Sequence, residues 1–152
     1  MNKFFQKILL ALAASLVSSI AFSTVIVSLD GGPTKAETNL ATAIFAGGCF
    51  WCTESDFDKV PGVISTTSGY TGGTVKNPTY EQVSAGGTGH AESVLVKFDP
   101  KKISYAGLLK AYWLSIDPLT ANRQFCDGGN QYRSAIFYMN ESQKKQALAF
   151  KK

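Results

Sequence analysis

The sequence predicts an α+β domain, with helices packed on an antiparallel or mixed sheet. Three observations carry that prediction. Strand-like and helix-like segments follow one another in the order strand, helix, strand, loop, strand, helix, long loop, strand, helix. HAESVLVKFDP (90–100) alternates with period two, so Glu92, Val94, Val96 and Phe98 share one face. SYAGLLKAYWLSI (104–116) has helical spacing, and Tyr105, Leu108, Leu109, Tyr112, Trp113 and Ile116 form its apolar stripe.

Taken in order, the chain starts with MNKFFQK, which carries two lysines, and then has no charged residue over 8–29. A basic segment followed by an apolar one predicts an export signal. The apolar run nears spanning length, so a membrane anchor through residues 8–29 is the alternative. Either way the protein is expected outside the cytoplasm, in the periplasm or anchored facing the envelope. DGGPTK (30–35) reads as a linker, which leaves 1–36 as signal or anchor and 37–152 as the domain.

ATAIFAGG, from Ala41, predicts a short buried strand stopped by glycines. CFWCTESDFDKV (49–60) predicts a helix ended by Pro61-Gly62. VISTTSGYTGG (63–73) reads as a strand entering a glycine loop, and NPTYEQVSAGGTG (77–89) as loop or a short helix. After the strand at 90–100, Ser104 is placed to cap the amphipathic helix. DPLTANRQFCDGGNQ (117–131) predicts a long polar loop, YRSAIFYM a strand, and ESQKKQALAFKK a final helix.

Of 152 residues, 45% are hydrophobic and 17% charged, an ordinary balance for one domain with a core. The net charge of +4 lies partly at the ends, in Lys3, Lys7, Lys144, Lys145, Lys151 and Lys152. No basic stripe interleaves with aromatics, which excludes a nucleic-acid footprint. Three cysteines, an odd number in an exported chain, favour redox chemistry over a disulfide framework.

The chemistry concentrates in GGCFWCTE (47–54). Cys49 falls at the start of a helix, after a strand and two glycines. Unpaired amides and partial positive charge at a helix N-terminus favour thiolate over thiol, and a free cysteine titrates near ~8.5. Cys49 is therefore a candidate nucleophile, with Phe50 and Trp51 supplying an apolar surface beside it. Cys49, Cys52, Cys126 and His90 also make a formal Cys₃His set, the basis of a zinc-stabilised binding module, although only one CxxC pair exists. A general thiol–disulfide oxidoreductase using Cys49 and Cys52 is the stronger alternative, but it leaves Glu92, Asp127 and the nearby tyrosines without a task.

GGCFWCTE, PGVISTTSGYTGG, NPTYEQV, GTGHAESVLVKFDP and NQYRSAIFY, in unbroken order from about Phe45 to Tyr138, resemble the A-type peptide methionine sulfoxide reductases. The resemblance implies a two-layer ferredoxin-like sandwich with a mixed, mainly antiparallel sheet. It also implies that some tens of residues of the family's C-terminal part are missing. The implied reaction is thiol-dependent reduction of methionine S-sulfoxide, in peptides or free. In it Cys49 attacks the sulfoxide sulfur and Glu92, in GHAE, is the acid. Phe50 and Trp51 correspond to the pocket for the substrate methyl group. Tyr80 and Tyr132 correspond to hydrogen-bond donors to the sulfoxide oxygen, and Asp127 to a contact with the substrate main chain.

The product on Cys49 would be a sulfenic acid, which a second thiol must condense with; Cys52 and Cys126 are the candidates. Thioredoxin or an equivalent dithiol would then reduce the disulfide. The expected partners are thus oxidised proteins or free methionine sulfoxide and that reductant. No metal or organic cofactor is implied, and a monomer is expected. His90 is expected to orient Glu92 or fix its loop, and Arg133 to serve the scaffold or an ion pair.

Overall fold

Alternating apolar residues in ATAIFAG and AESVLVKF build the two central strands of the domain; the second buries one face completely, and the first buries Ala43 and Phe45 on the same side of the sheet. The structure, a computed structural model, describes residues 39–150. The element order is β1 (Ala41–Gly47), α1 (Phe50–Asp58), β2 (Val63–Thr71), α2 (Tyr80–Ser84), β3 (Ala91–Phe98), α3 (Tyr105–Ser115), β4 (Arg123–Gln124), β5 (Asp127–Gly128), a 3₁₀ turn (Asn130–Tyr132), β6 (Ser134–Phe137) and α4 (Glu141–Phe150). The expected signal or anchor, residues 1–36, lies outside the described residues. Among the described residues no helix is long and apolar enough to cross a membrane.

Two segments gain detail over the expectation. The 77–89 stretch does form a short helix, because Thr79 and Gln82 cap each other reciprocally at its start. The long polar loop is not structureless. Its centre folds into a β4–β5 hairpin, with Arg123 opposite Gly128 and Gln124 opposite Asp127, followed by the 3₁₀ turn.

The main sheet has the order β2-β3-β1-β6, and all its ladders are antiparallel. That order is the ferredoxin-like arrangement. The segment carrying α1 joins β1 to β2, and the segment carrying α3 joins β3 to β6. Each connection skips one position, so β3 separates β1 from β2, and β1 separates β3 from β6. Strands that run the same way therefore never pair, which is why the parallel component of the expected mixed sheet is not seen among the described residues.

The core lies between one face of this sheet and helices α1 and α3. Phe45 is its centre. It is fully buried and stacks on Phe57, Tyr112 and Tyr105 with ring centroids 4.9, 5.1 and 6.1 Å away. Val94, Val96, Phe98, Leu108 and Leu109 close around it, each stabilising the fold by roughly 1.5–3 kcal/mol through burial. The Tyr112 hydroxyl donates to the Ala46 carbonyl at 2.8 Å, pinning α3 to the end of β1. Ser104 caps α3 as expected, accepting from the Gly107 amide. On the far side of the sheet Leu95 stays 37% exposed, so the covered face is the one that carries Glu92.

Candidate active site

β1 enters α1 through Gly48, whose φ of +94° suits glycine. Space demands glycine there as well: a Cβ would sit 2.6 Å from Cβ of Gln124. Gln124 is buried, and its carboxamide is fully committed. The oxygen accepts from the Asp117 amide at 2.8 Å, and the nitrogen, with two hydrogens to donate, has the Asp117 and Arg123 carbonyls and the Ser134 hydroxyl 2.7–2.8 Å away. The β4–β5 hairpin thus buttresses the turn that presents Cys49. Cys49 is the N-cap of α1, yet its side chain caps nothing. Thr53 takes the Cys49 carbonyl with both its amide and its hydroxyl, at 3.1 and 3.2 Å. The thiol is left partly exposed.

The first free amide of α1 is claimed by a distant side chain. The Phe50 N–H donates to Oε2 of Glu92 at 3.0 Å. Glu92 is 2% exposed, near the start of β3 on the core-facing side. Burial pushes its pKa above the usual carboxylate range, the Phe50 amide pulls it back, and the charge of Asp127 adds a further push upward. A carboxyl held this way carries its proton closer to neutrality, and it is bonded to the amide of the residue that follows Cys49.

Aromatic rings form the wall beside it. Phe50 lies 5.4 Å from Trp51 and 6.3 Å from Tyr80, and Trp51 stacks on Tyr80 at 6.1 Å with 15° between planes. Trp51 is 62% exposed, so the wall opens to solvent. Burial and the nearby charges of Glu92 and Asp127 raise the Tyr132 pKa, keeping its hydroxyl a donor. Cys49, Phe50, Trp51, Tyr80, Glu92, Asp127 and Tyr132 are therefore brought to one place from α1, α2, β3, β5 and the 3₁₀ turn.

The two other thiols separate. Partial desolvation, hydrogen bonding to Cys49, and the charges of Cys49, Asp127 and Asp56 all push the Cys52 pKa up. Desolvation first, and then the neighbouring Cys49, favour the protonated form of Cys52. Cys126 stands exposed at the tip of the β4–β5 hairpin. His90 fixes its loop: Nδ1 accepts from the Gly73 amide at 3.2 Å and Nε2 lies 2.8 Å from the Val75 carbonyl. Arg133 serves the scaffold, donating to the Asn130 and Gly89 carbonyls at 2.7 and 3.1 Å. The Cys₃His set does not assemble, since among the described residues no three His, Cys, Asp or Glu side chains converge as metal ligands.

A model of the peptide methionine sulfoxide reductase family matches residues 41–152. This chain belongs to that family. Peptide methionine sulfoxide reductase MsrA of Ligilactobacillus salivarius is 58% identical over 111 residues, covering 73% of this chain and 64% of that protein. The MsrA/MsrB protein of Vibrio cholerae is 46% identical over 149 residues, 95% of this chain and 39% of its own length. Among solved structures, methionine sulfoxide reductase A of Corynebacterium diphtheriae superposes with a TM-score of 0.70 at 34% identity, covering 84% of this chain and 58% of the other. Mxr1 of Saccharomyces cerevisiae in its reduced form gives 0.71 at 30% identity, covering 75% and 67%. The chain thus spans just under two thirds of the length of the L. salivarius relative.

Within this reductase fold two site residues escaped the sequence reading. Tyr70 lies opposite Glu92 across the β2–β3 ladder and 5.6 Å from Phe50. Its place in the GYTGG strand was legible, but the register that faces it toward Glu92 was not. Gln124 sits in a segment whose polarity predicted exposure, and no local signal marks it as buried.

Proposed function

We propose that this protein reduces methionine S-sulfoxide, in peptides or free, to methionine. The observation that carries the reading is the Phe50 amide to Glu92 contact at 3.0 Å, which bonds a buried acid to the residue that follows an uncapped cysteine at a helix head. Cys49, as thiolate, attacks the sulfoxide sulfur while Glu92 gives its proton to the sulfoxide oxygen. The sulfoxide sulfur gains two electrons and Cys49 loses two, leaving methionine and a Cys49 sulfenic acid. Phe50 and Trp51 receive the substrate methyl group. The Tyr80 and Tyr132 hydroxyls donate to the sulfoxide oxygen, and Asp127 meets the substrate main chain.

Cys52 then attacks the sulfenic sulfur, giving a Cys49–Cys52 disulfide and water. Cys52 follows Cys49 by three residues, one helical turn along α1, whereas Cys126 is on the hairpin tip. A thioredoxin-type dithiol returns both cysteines to thiols and leaves as its own disulfide. The chain acts as a monomer. Two lysines followed by an uncharged run over 8–29 support export to the periplasm or anchoring at the envelope.

The two sulfoxide epimers, supplied separately with a dithiol reductant, test this. The S epimer should yield methionine, and Cys49→Ser should abolish the yield. Glu92→Gln should slow the single-turnover step by roughly 10²–10⁴-fold, the usual loss for a general acid. Reduction of protein disulfides with no turnover of either epimer would favour the general oxidoreductase instead.

A further inference from the structure

We propose that Tyr70 is a positioning residue of this site: its ring covers Glu92 from the β2 side, keeps water off the carboxyl and backs the Phe50 ring. The inference rests on Glu92 serving as the acid, and it adds a residue that the family motifs read above do not assign.

Tyr70 and Glu92 are direct partners in the antiparallel β2–β3 ladder. Opposite residues in such a ladder project to the same face, with Cβ atoms about 4.5–5.5 Å apart. Glu92 projects to the core-facing side, so Tyr70 does too. The Tyr70 ring also lies 5.6 Å from the Phe50 ring at a tilt of 34°. Phe50 is the residue whose amide holds Glu92. Tyr70 therefore touches the environment of both ends of that hydrogen bond.

The titratable groups around the acid and Tyr70 come from other elements. Cys49 stands at the head of α1, Asp127 comes from β5, and Tyr132 comes from the 3₁₀ turn, while Tyr80 and Glu81 of α2 face Tyr70 itself. None of these comes from β2. The neighbours of Tyr70 in its own strand cannot replace it. Gly69 has no side chain, and Thr71 projects to the opposite face. Tyr70 is itself half-buried, and burial followed by the charge of Glu92 raises its pKa. The charge of Glu92 thus reaches the Tyr70 hydroxyl.

Titration of Glu92 by NMR in the full chain, carboxyl-labelled with ¹³C, tests the assignment without using activity. Wild type and Tyr70→Phe should titrate together, above the ordinary glutamate value near ~4.3. Tyr70→Val keeps a strand-forming residue but loses the ring, and should move the titration down by about one pH unit as water reaches the carboxyl. If Tyr70→Val loses its native circular dichroism, Tyr70→Leu is read the same way. The basic limb of the single-turnover pH profile should move by the same amount. An unmoved titration in the folded ring-less variant would overturn the proposal, as would an equal shift in Tyr70→Phe. Failure of the wild type to reduce sulfoxide would instead remove the functional reading and leave the titration result standing.

Discussion

At the scale of single residues, Glu92 is pulled two ways. Burial disfavours its charge, while the first free amide of α1 favours it. Burial is the stronger influence, so its pKa in the folded chain lies above its unfolded value. The folded state then binds the proton more tightly, and stability falls as pH rises from the unfolded value through the folded one. Glu92→Gln removes that titration. Its melting temperature should therefore gain on the wild type with rising pH, starting from the ordinary carboxylate range, and level off above the folded pKa. A difference that stays constant from acid to mildly alkaline pH would show that Glu92 is not desolvated in the way described. At this scale the sequence was informative where a residue's chemistry depends on its own strand or helix. Glu92 on the Val94, Val96 and Phe98 face and Cys49 at a helix head both follow from local periodicity. Tyr70 and Gln124 do not, because each owes its role to a partner on another element.

At the scale of elements, the site is assembled from ends. The end of β1, the head of α1, the start of β3 and the β4–β5 hairpin meet there. α2 is the shortest α-helix among the described residues, five residues long, and it begins with Tyr80. A helix this short does not persist on its own propensity. The Thr79–Gln82 capping box holds it: the Gln82 amide donates to the Thr79 hydroxyl at 3.3 Å and the Thr79 amide to the Gln82 carboxamide at 2.9 Å. Losing such a cap costs about 0.5–2 kcal/mol. Thr79→Ala should therefore loosen Tyr80 and raise KM for the sulfoxide by several-fold, with a smaller change in kcat and with Thr79→Ser near wild type. An unchanged KM would separate Tyr80 from substrate binding. The regular elements were legible because periodicity and turn residues mark them. The β4–β5 hairpin was not, since two-residue strands carry no period. Its only marks are two non-glycine residues at positive φ, Asn122 and Phe125, which sequence does not announce.

At the scale of the whole molecule, two interleaved strand–helix–strand units put the functional ends of β1 and β3 beside each other on the same sheet face. β1 ends at Gly47 as it runs toward Cys49, and antiparallel β3 begins near Glu92 at the same end. Strand order could not be read from periodicity, which reports faces but not neighbours. The family resemblance supplied only the ferredoxin-like class, and the observed order β2-β3-β1-β6 is what that class contains. The account's central claim is that this fold delivers Cys49, with Cys52 as its partner, to a sulfoxide against a buried acid. The most direct test is one turnover without an external reductant. Fully reduced protein is mixed with one equivalent of peptide methionine S-sulfoxide, methionine is quantified, and the oxidised chain is mapped by mass spectrometry. The account predicts about one methionine per chain and a Cys49–Cys52 disulfide, with Cys126 still a free thiol. No methionine, or methionine formed while Cys49 remains a thiol, would contradict it.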